Sequence, residues 1–392
     1  MNIKVLQKEV QDFILENLKT DISKLILKGS PFKEITIQEI AQQIIGKQKA
    51  KDKLPTWFTN NNLYFPPKLN LEQTSSEITA DYKSKIVRGK SCIDLTGGFG
   101  IDSYYFSKQF NSVIHCEVNK ELVEIAQHNS RELNSNNIEF IHKNGIEYLA
   151  TTDKTYDCIY IDPSRRNNTK GKVFLLEDCL PKIPEHIDSL FVCSNTILIK
   201  YSPMLDIQIG INNLKFVKEI HVVAVDNEVK ELLFLLEKNY NKTVTIKTIN
   251  FAKNNVQKFQ FTKSTETEIN YSEPLTYLYE PNVAILKSGA FKELAEKLKV
   301  HKLHQHSHLY TSDELIDFPG RIFKIQENCN YKKGKIKSLI KTQANITCRN
   351  FPLSVDEIRK KLKLKSGGKK YLFFTTNLNN QFIVLKTTKV HS

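Results

Sequence analysis

Apolar positions change their spacing along this chain. Ile3, Leu6, Val10, Phe13, Ile14 and Leu18 recur every three or four residues, the spacing of one helix face. A second helix is predicted from Thr36, whose hydroxyl can cap it with Glu39 three residues on. Pro55, the run Asn60–Asn62 and Pro66-Pro67 then read as loop. From about residue 86 the pattern becomes short apolar runs: Cys92–Leu95, Val113–Cys116, Ile138–Ile141, Cys158–Ile161 and Thr196–Ile199. Helical stretches such as Asp102–Lys108 and Lys120–Asn134 lie between several of them. This alternation predicts an α/β fold, a doubly wound and mostly parallel sheet with helices on both faces.

Ile220–Val225 and Leu232–Leu236, joined by the polar turn Asp226–Lys230, read as an antiparallel hairpin at the sheet edge. Residues 251–275 read as a polar connection, and Val283–Leu298 as a helix. The end of the chain alternates again. It predicts a strand at Ile346–Arg349, a helix at Val355–Leu364, a Gly367-Gly368 turn, a strand at Tyr371–Thr376, a turn at Asn377–Asn380 and a strand at Phe382–Lys386. The expected division is an N-terminal helical region (1–78), an α/β domain (79–264), a small segment (265–320) and a final α+β domain (321–392).

Composition narrows the class. With 392 residues, two to three domains are expected. A hydrophobic share of 40% is enough for packed cores and excludes a disordered chain. Seven cysteines without a CxxC pair argue against a disulfide framework and a cysteine zinc site. Cys92, Cys116, Cys158 and Cys193 fall in or beside the predicted strands, as small buried hydrophobes do. The first residues carry Glu9, Asp12 and Glu16 instead of an apolar signal core, and no run reaches membrane-spanning length. The expectation is a soluble, cytoplasmic protein without a membrane partner. The cluster His301, His304, His306 and His308 lacks a supporting carboxylate pattern, so no metal is expected.

Charge is the most uneven property. The net +14 arises within residues 321–392, which hold 17 basic and 3 acidic residues; residues 1–320 are balanced at 40 of each. A folded pattern carrying that excess points to a polyanion-binding module.

The densest chemistry lies at Cys92–Gly100, C-I-D-L-T-G-G-F-G: a strand running into three glycines, with a helix after them. Glycines there let a backbone approach a ligand beside a helix N-terminus. The dinucleotide fingerprint GxGxxG fails, because counting from Gly98 its third glycine position holds Ser103. Instead an acid, Asp94, stands four residues before Gly98. Glu117 ends the second strand, where a carboxylate can accept from both hydroxyls of a ribose. Asn144-Gly145 follows the third strand and Asp162-Pro163-Ser164-Arg165-Arg166 the fourth. Pro163 stiffens that turn and so gives the Asp162 carboxylate a fixed aim, and Arg165 and Arg166 can clamp a phosphate or stack on a base. Tyr201, after the fifth strand, can stack on a base or pack in the core. No thiol is placed for cysteine-nucleophile chemistry.

This order resembles the class I S-adenosylmethionine-dependent methyltransferases, and specifically a bacterial family with a THUMP-like C-terminal domain. The likeness is carried by LEQTSSEITADYK, DLTGGFGIDSYYFS, YIDPSRR, LYEPNVAILKSGAF, DFPGR and LKLKSGGKKYLFFTT, from about residue 71 to 376. The resemblance implies a Rossmann-like sheet, a small ferredoxin-like segment over 265–320 and a THUMP-like RNA-binding domain over 321–392. It implies S-adenosyl-L-methionine as cofactor and a tRNA or rRNA base as acceptor. Thr96, Gly97, Gly98 and Gly100 would pack the methionine end, with Asp94 holding the amino group. Glu117 would hold the ribose, Asn144 would stand in for an adenine-contacting Asp, and Gln73 and Ser75 would flank the methionine end. Asp162 and Pro163 would form the catalytic turn, with Ser164, Arg165, Arg166 and Tyr201 on the substrate side. DPSRR departs from the DPPY form, placing Arg165 where amino-directed enzymes stack an aromatic ring. Two other classes stay open at this point: an RNA-binding protein with a residual cofactor site, and a methyltransferase acting on protein or a small molecule.

Overall fold

Thr36 and Glu39 close the helix Ile37–Lys53 reciprocally. The Glu39 amide donates to Thr36 Oγ1 at 3.2 Å, and the Glu39 carboxylate accepts from the Thr36 amide at 2.7 Å. The stretch read as loop holds a further short helix, Pro55–Thr59. Proline opens it at the first helical position, where its missing N–H costs nothing. Ile14, Ile40, Ile44, Trp57 and Phe65 pack into one core with Phe99, Tyr104 and Tyr105 of the glycine-turn region. The N-terminal helices therefore brace the loop that carries the candidate chemistry.

The computed structural model describes residues 1–165, 176–263, 269–332, 336 and 342–390, with only the backbone of Arg165. It comprises two compact units, Met1–Lys218 with Leu232–Asn241, and Glu219–Glu231 with Lys242–Ser392. In the first, β1 (Ser91–Asp94), β2 (Ser112–Glu117), β3 (Ile138–His142), β4 (Cys158–Ile161) and β5 (Thr196–Tyr201) lie in the order β5-β4-β1-β2-β3, all parallel. Residues 232–237 pair antiparallel with β5. Their segment turns out of Val217–Val225 through Asp226 and Asn227, whose φ values of 48° and 61° make a tight two-residue turn. The strand order reverses between β1 and β4, the position where open α/β sheets present their ligand crevice.

In the second unit residues 219–225 pair in parallel with Thr245–Phe251, which pairs antiparallel with Val256–Thr262. The hairpin is therefore not a sheet edge, and the supposed connection after residue 251 holds a strand. Val256–Thr262 reads as polar because only Phe259 and Phe261 turn inward while Lys258 and Gln260 face water. The helix expected over 283–298 breaks at Gly289 (φ +72°) into Val283–Ser288 and Phe291–Leu298.

A seven-stranded sheet forms the rest. Tyr277–Pro281 pairs with Gly320–Asn330, which pairs with Phe382–Lys389. Glu280, 3% exposed, is held by Arg321, and by Arg349 at 2.8 Å. The sheet thus runs unbroken across residue 320. The helix Val355–Leu362, closed by a Ser354–Glu357 capping box, packs Ile358 and Leu362 onto Leu372 and Phe374 and leaves its lysines in water. Among the described residues no helix is long and apolar enough to cross a membrane.

Candidate active site

The glycine turn leaves β1 at Asp94. Gly97 packs so closely on His115 of β2 that a Cβ there would lie 2.2 Å from the imidazole, so no larger residue fits. Gly98 has φ +54°, and a Cβ on it would meet only open space apart from the Thr96 carbonyl oxygen at 3.9 Å. One glycine is thus demanded by close packing and the next by backbone conformation. The latter opens the loop's outer face.

Glu117 locks this loop. Its Oε2 accepts from the Gly98 amide at 2.9 Å and its Oε1 from the Asn119 amide at 2.8 Å. Each oxygen keeps a second lone pair for a hydroxyl donor. Val118, next in sequence, is a large aliphatic side chain left 64% exposed beside the loop.

Asp94 is 1% exposed, and both its oxygens are engaged: Oδ1 accepts from the Thr96 amide at 3.0 Å, Oδ2 from Ser103 Oγ at 2.7 Å. Ser103 also bonds His115 Nδ1 at 2.9 Å. Burial pushes the Asp94 carboxyl up to about 7, against the lowering effect of its two hydrogen bonds and with the help of nearby Asp102 and Asp162. Burial also takes His115 down to about 3, so its ring is neutral. Asp94 is thus enclosed, with both oxygens engaged in bracing the loop that runs from β1 into the glycines.

Asp162 follows β4 across the crevice. Its backbone amide donates to Thr96 Oγ1 at 2.7 Å, tying the fourth-strand turn to the glycine turn. Pro163 behind it is buried. The Asp162 carboxylate, 33% exposed, pairs with Lys200 of β5. Beneath them lies a second charged cluster. Lys83, fully buried, donates to Asp102 Oδ1 at 2.9 Å and to Ser75 Oγ at 2.6 Å, while Tyr160 donates to Asp102 Oδ2 at 2.7 Å. Burial acts to raise the Asp102 carboxyl, but Lys83 and Lys200 outweigh it and hold Asp102 below its ordinary value.

Thr96, Gly97, Gly98, Gly100, Glu117, Asp162 and Pro163 are thus gathered at the carboxyl ends of β1, β2 and β4. Asn144 stands after β3, but its oxygen accepts from the Ile146 and Glu147 amides as a helix cap. That leaves its amide hydrogens for a ligand and corrects the expected acceptor role. Ser75 belongs to the Lys83–Asp102 cluster, and Gln73 lies exposed at the end of the helix Lys68–Gln73. Tyr201 is 2% exposed, packs edge-on to Phe234, and burial raises its hydroxyl further. It is a core residue and not a stacking platform. Ser164 is exposed, paired in a short ribbon with Leu180. The Arg165 side chain and Arg166 lie outside the described residues.

The ubiE/COQ5 methyltransferase family profile matches residues 73–178, a ferredoxin-like domain profile 277–319 and a THUMP domain-like profile 320–388. A solved structure described as a "putative methyltransferase", from Porphyromonas gingivalis W83, is 33% identical over all of both chains, with a TM-score of 0.88. The chain belongs to the class I methyltransferase family with a THUMP-like C-terminal domain. Two curated relatives match shorter stretches. An uncharacterized RNA methyltransferase of Mycoplasma mobile is 27% identical over 174 residues, covering 43% of this chain and 47% of that protein. The ribosomal RNA small subunit methyltransferase J of Francisella tularensis subsp. novicida is 29% identical over 91 residues, covering 20% of this chain and 38% of that protein. The chain therefore spans less than half the length of these curated relatives.

The site residues that sequence reasoning missed are Lys83, Asp102, Tyr160 and Lys200. A signal for Lys200 existed: it is the one charged residue in β5, T-I-L-I-K-Y, and stands at the ligand end. Lys83 carried none, because its burial depends on a helix whose partner, Asp102, lies 19 residues away.

Proposed function

We propose that this protein transfers a methyl group from S-adenosylmethionine to a base of RNA. The observation that carries the reading is the Thr96 hydroxyl bond to the Asp162 amide, which joins the glycine turn and the Asp162-Pro163 turn across the strand-order reversal. The open face at Gly98, the second lone pairs of Glu117 and the exposed Val118 fit, in turn, the amino-acid end, the ribose and the adenine of that cofactor. When bound, the cofactor supplies a methyl group on a sulfonium, poised for in-line displacement. The chain's own part is positioning. Glu117 fixes the loop and the sugar, and Asp162 receives the donor hydrogen of the attacking group.

RNA as acceptor is supported by the naming of both curated relatives and by the basic final segment. Lys360, Lys361, Lys363, Lys365, Lys369 and Lys370 are all exposed there. These features speak against a protein or small-molecule acceptor, and the intact crevice speaks against a purely RNA-binding role. The decisive test is mass spectrometry of nucleosides from cells with and without the gene. One methylated nucleoside that disappears from tRNA or rRNA supports the reading; unchanged RNA sinks it.

Two further outcomes are expected. Glu117→Ala should weaken cofactor binding by roughly 1–3 kcal/mol, the scale of a lost charge-assisted hydrogen-bond pair. Calorimetry showing unchanged affinity in a folded variant would remove Glu117 from the site. Replacing Lys360, Lys361, Lys363 and Lys365 together by Ala should weaken RNA binding, and flatten its logarithmic salt dependence by about 0.7–0.9 for each phosphate that is no longer neutralised. Charge replacement is the right test because residues 320–330 are shared strands of one sheet, and deletion from 321 would unpair Tyr277–Pro281. An unchanged salt slope would place RNA binding elsewhere on the chain.

A further inference from the structure

We propose that Lys200 is a positioning residue for methyl transfer, clamping the Asp162 carboxylate in the orientation that receives the acceptor. The proposal rests on the reading of Asp162 as the acceptor-side carboxylate.

Register places the pair. Ile161 of β4 stands opposite Ile199 of β5, so Asp162 and Lys200 are the next residues on adjacent parallel strands, both at the ligand end. Lys200 is 13% exposed, too enclosed for a surface lysine serving solubility, and its ammonium meets Asp162 Oδ2. Among the described residues this leaves Oδ1 for a donor from the acceptor. The backbone of Asp162 is tied separately, by Thr96, and its following peptide is stiffened by buried Pro163. Backbone and side chain are thus held from strands on opposite sides, β1 and β5. A carboxylate one-third exposed has several rotamers open to it; an ion pair from a neighbouring strand selects one.

Charge balance points the same way. Asp102 and Asp162 both act on the Asp94 carboxyl, and Lys83 and Lys200 both act on Asp102. Lys83 pairs directly with the buried Asp102, while Lys200, which also acts on Asp102, pairs directly with the carboxylate that opens to the crevice.

The test uses the full-length protein, methyl-labelled S-adenosylmethionine and total RNA from cells lacking the gene. Lys200→Met should lower kcat by about 10–100-fold, the cost of a misplaced reacting group, with KM for RNA and cofactor affinity by calorimetry nearly unchanged. Lys200→Arg, which keeps the ion pair, should recover most of the rate. Adding Lys200→Met to Asp162→Asn should cost little more than Asp162→Asn alone, because a residue acting through another is non-additive with it. Multiplying effects, or a raised KM at constant kcat, would overturn the proposal and make Lys200 a phosphate-binding cation. The pair is also read without turnover. In protein carrying ¹³Cε-lysine, the Lys200 resonance should move on Asp162→Asn, and a resonance that stays put overturns the clamp whatever the RNA assay shows. An inert wild-type protein beside a moved resonance counts against RNA as acceptor and in favour of the pair.

Discussion

Asp162→Asn is expected to lower the methyl-transfer rate by about 10²–10⁴-fold, the range associated with loss of a positioned general base. The substitution keeps size and an acceptor oxygen but removes the charge that Lys200 grips. It leaves the turn intact, because the bond to Thr96 runs through the Asp162 amide and Pro163 is untouched. Cofactor affinity should therefore change little, and the loss should fall on the chemical step. Single-turnover methylation beside cofactor calorimetry separates the two. A loss of tenfold or less would show that Asp162 only orients the acceptor, and full activity would remove it from the chemistry.

Asp94→Asn is expected to change stability in a pH-dependent way. Burial raises the folded carboxyl from 3.8 to about 7, so between those values the folded state binds more protons than the unfolded chain. Stability from this group is fully present below about pH 4, declines as pH rises through the window, and is lost above about 7. Enclosing the charged form at pH 8 thus costs up to about 4 kcal/mol, an upper bound for a group of this shift. Asparagine imitates the protonated carboxyl. Its oxygen can accept from the Thr96 amide and its amide group can donate to Ser103 Oγ, which can then donate to His115 Nδ1. The variant should melt several degrees higher than wild type at pH 8 and close to it at pH 4. Equal melting at both values would show that Asp94 is not enclosed as described. Cofactor calorimetry on the same variant tests its role. Retained affinity fits a loop organiser, whereas a loss of tenfold or more would show a direct charge contact.

Local and periodic features of this chain were legible without coordinates. The capping box at Thr36, the five parallel strands and the glycine turn all follow from interactions between residues close in sequence, or from apolar runs whose length and spacing admit one architecture. The concentration of positive charge after residue 320 is equally a property of the string. What the string could not display are decisions made by neighbours distant along the chain. Val256–Thr262 reads as polar linker because an edge strand needs only two buried phenylalanines, and its pairing with Thr245–Phe251 supplies the rest. Tyr201 offered two roles with the same local sequence, and packing against Phe234 chose the core. Asn144 kept an acceptor on paper, which the amides of its own helix claimed. The enclosure of Asp94 by Ser103 and the Thr96 amide could not be read from the string either. Lys83, Asp102, Tyr160 and Lys200 gain their meaning only where helix, turn and strands converge, because an ion pair depends on distance in space, and sequence spacing records distance only along one element.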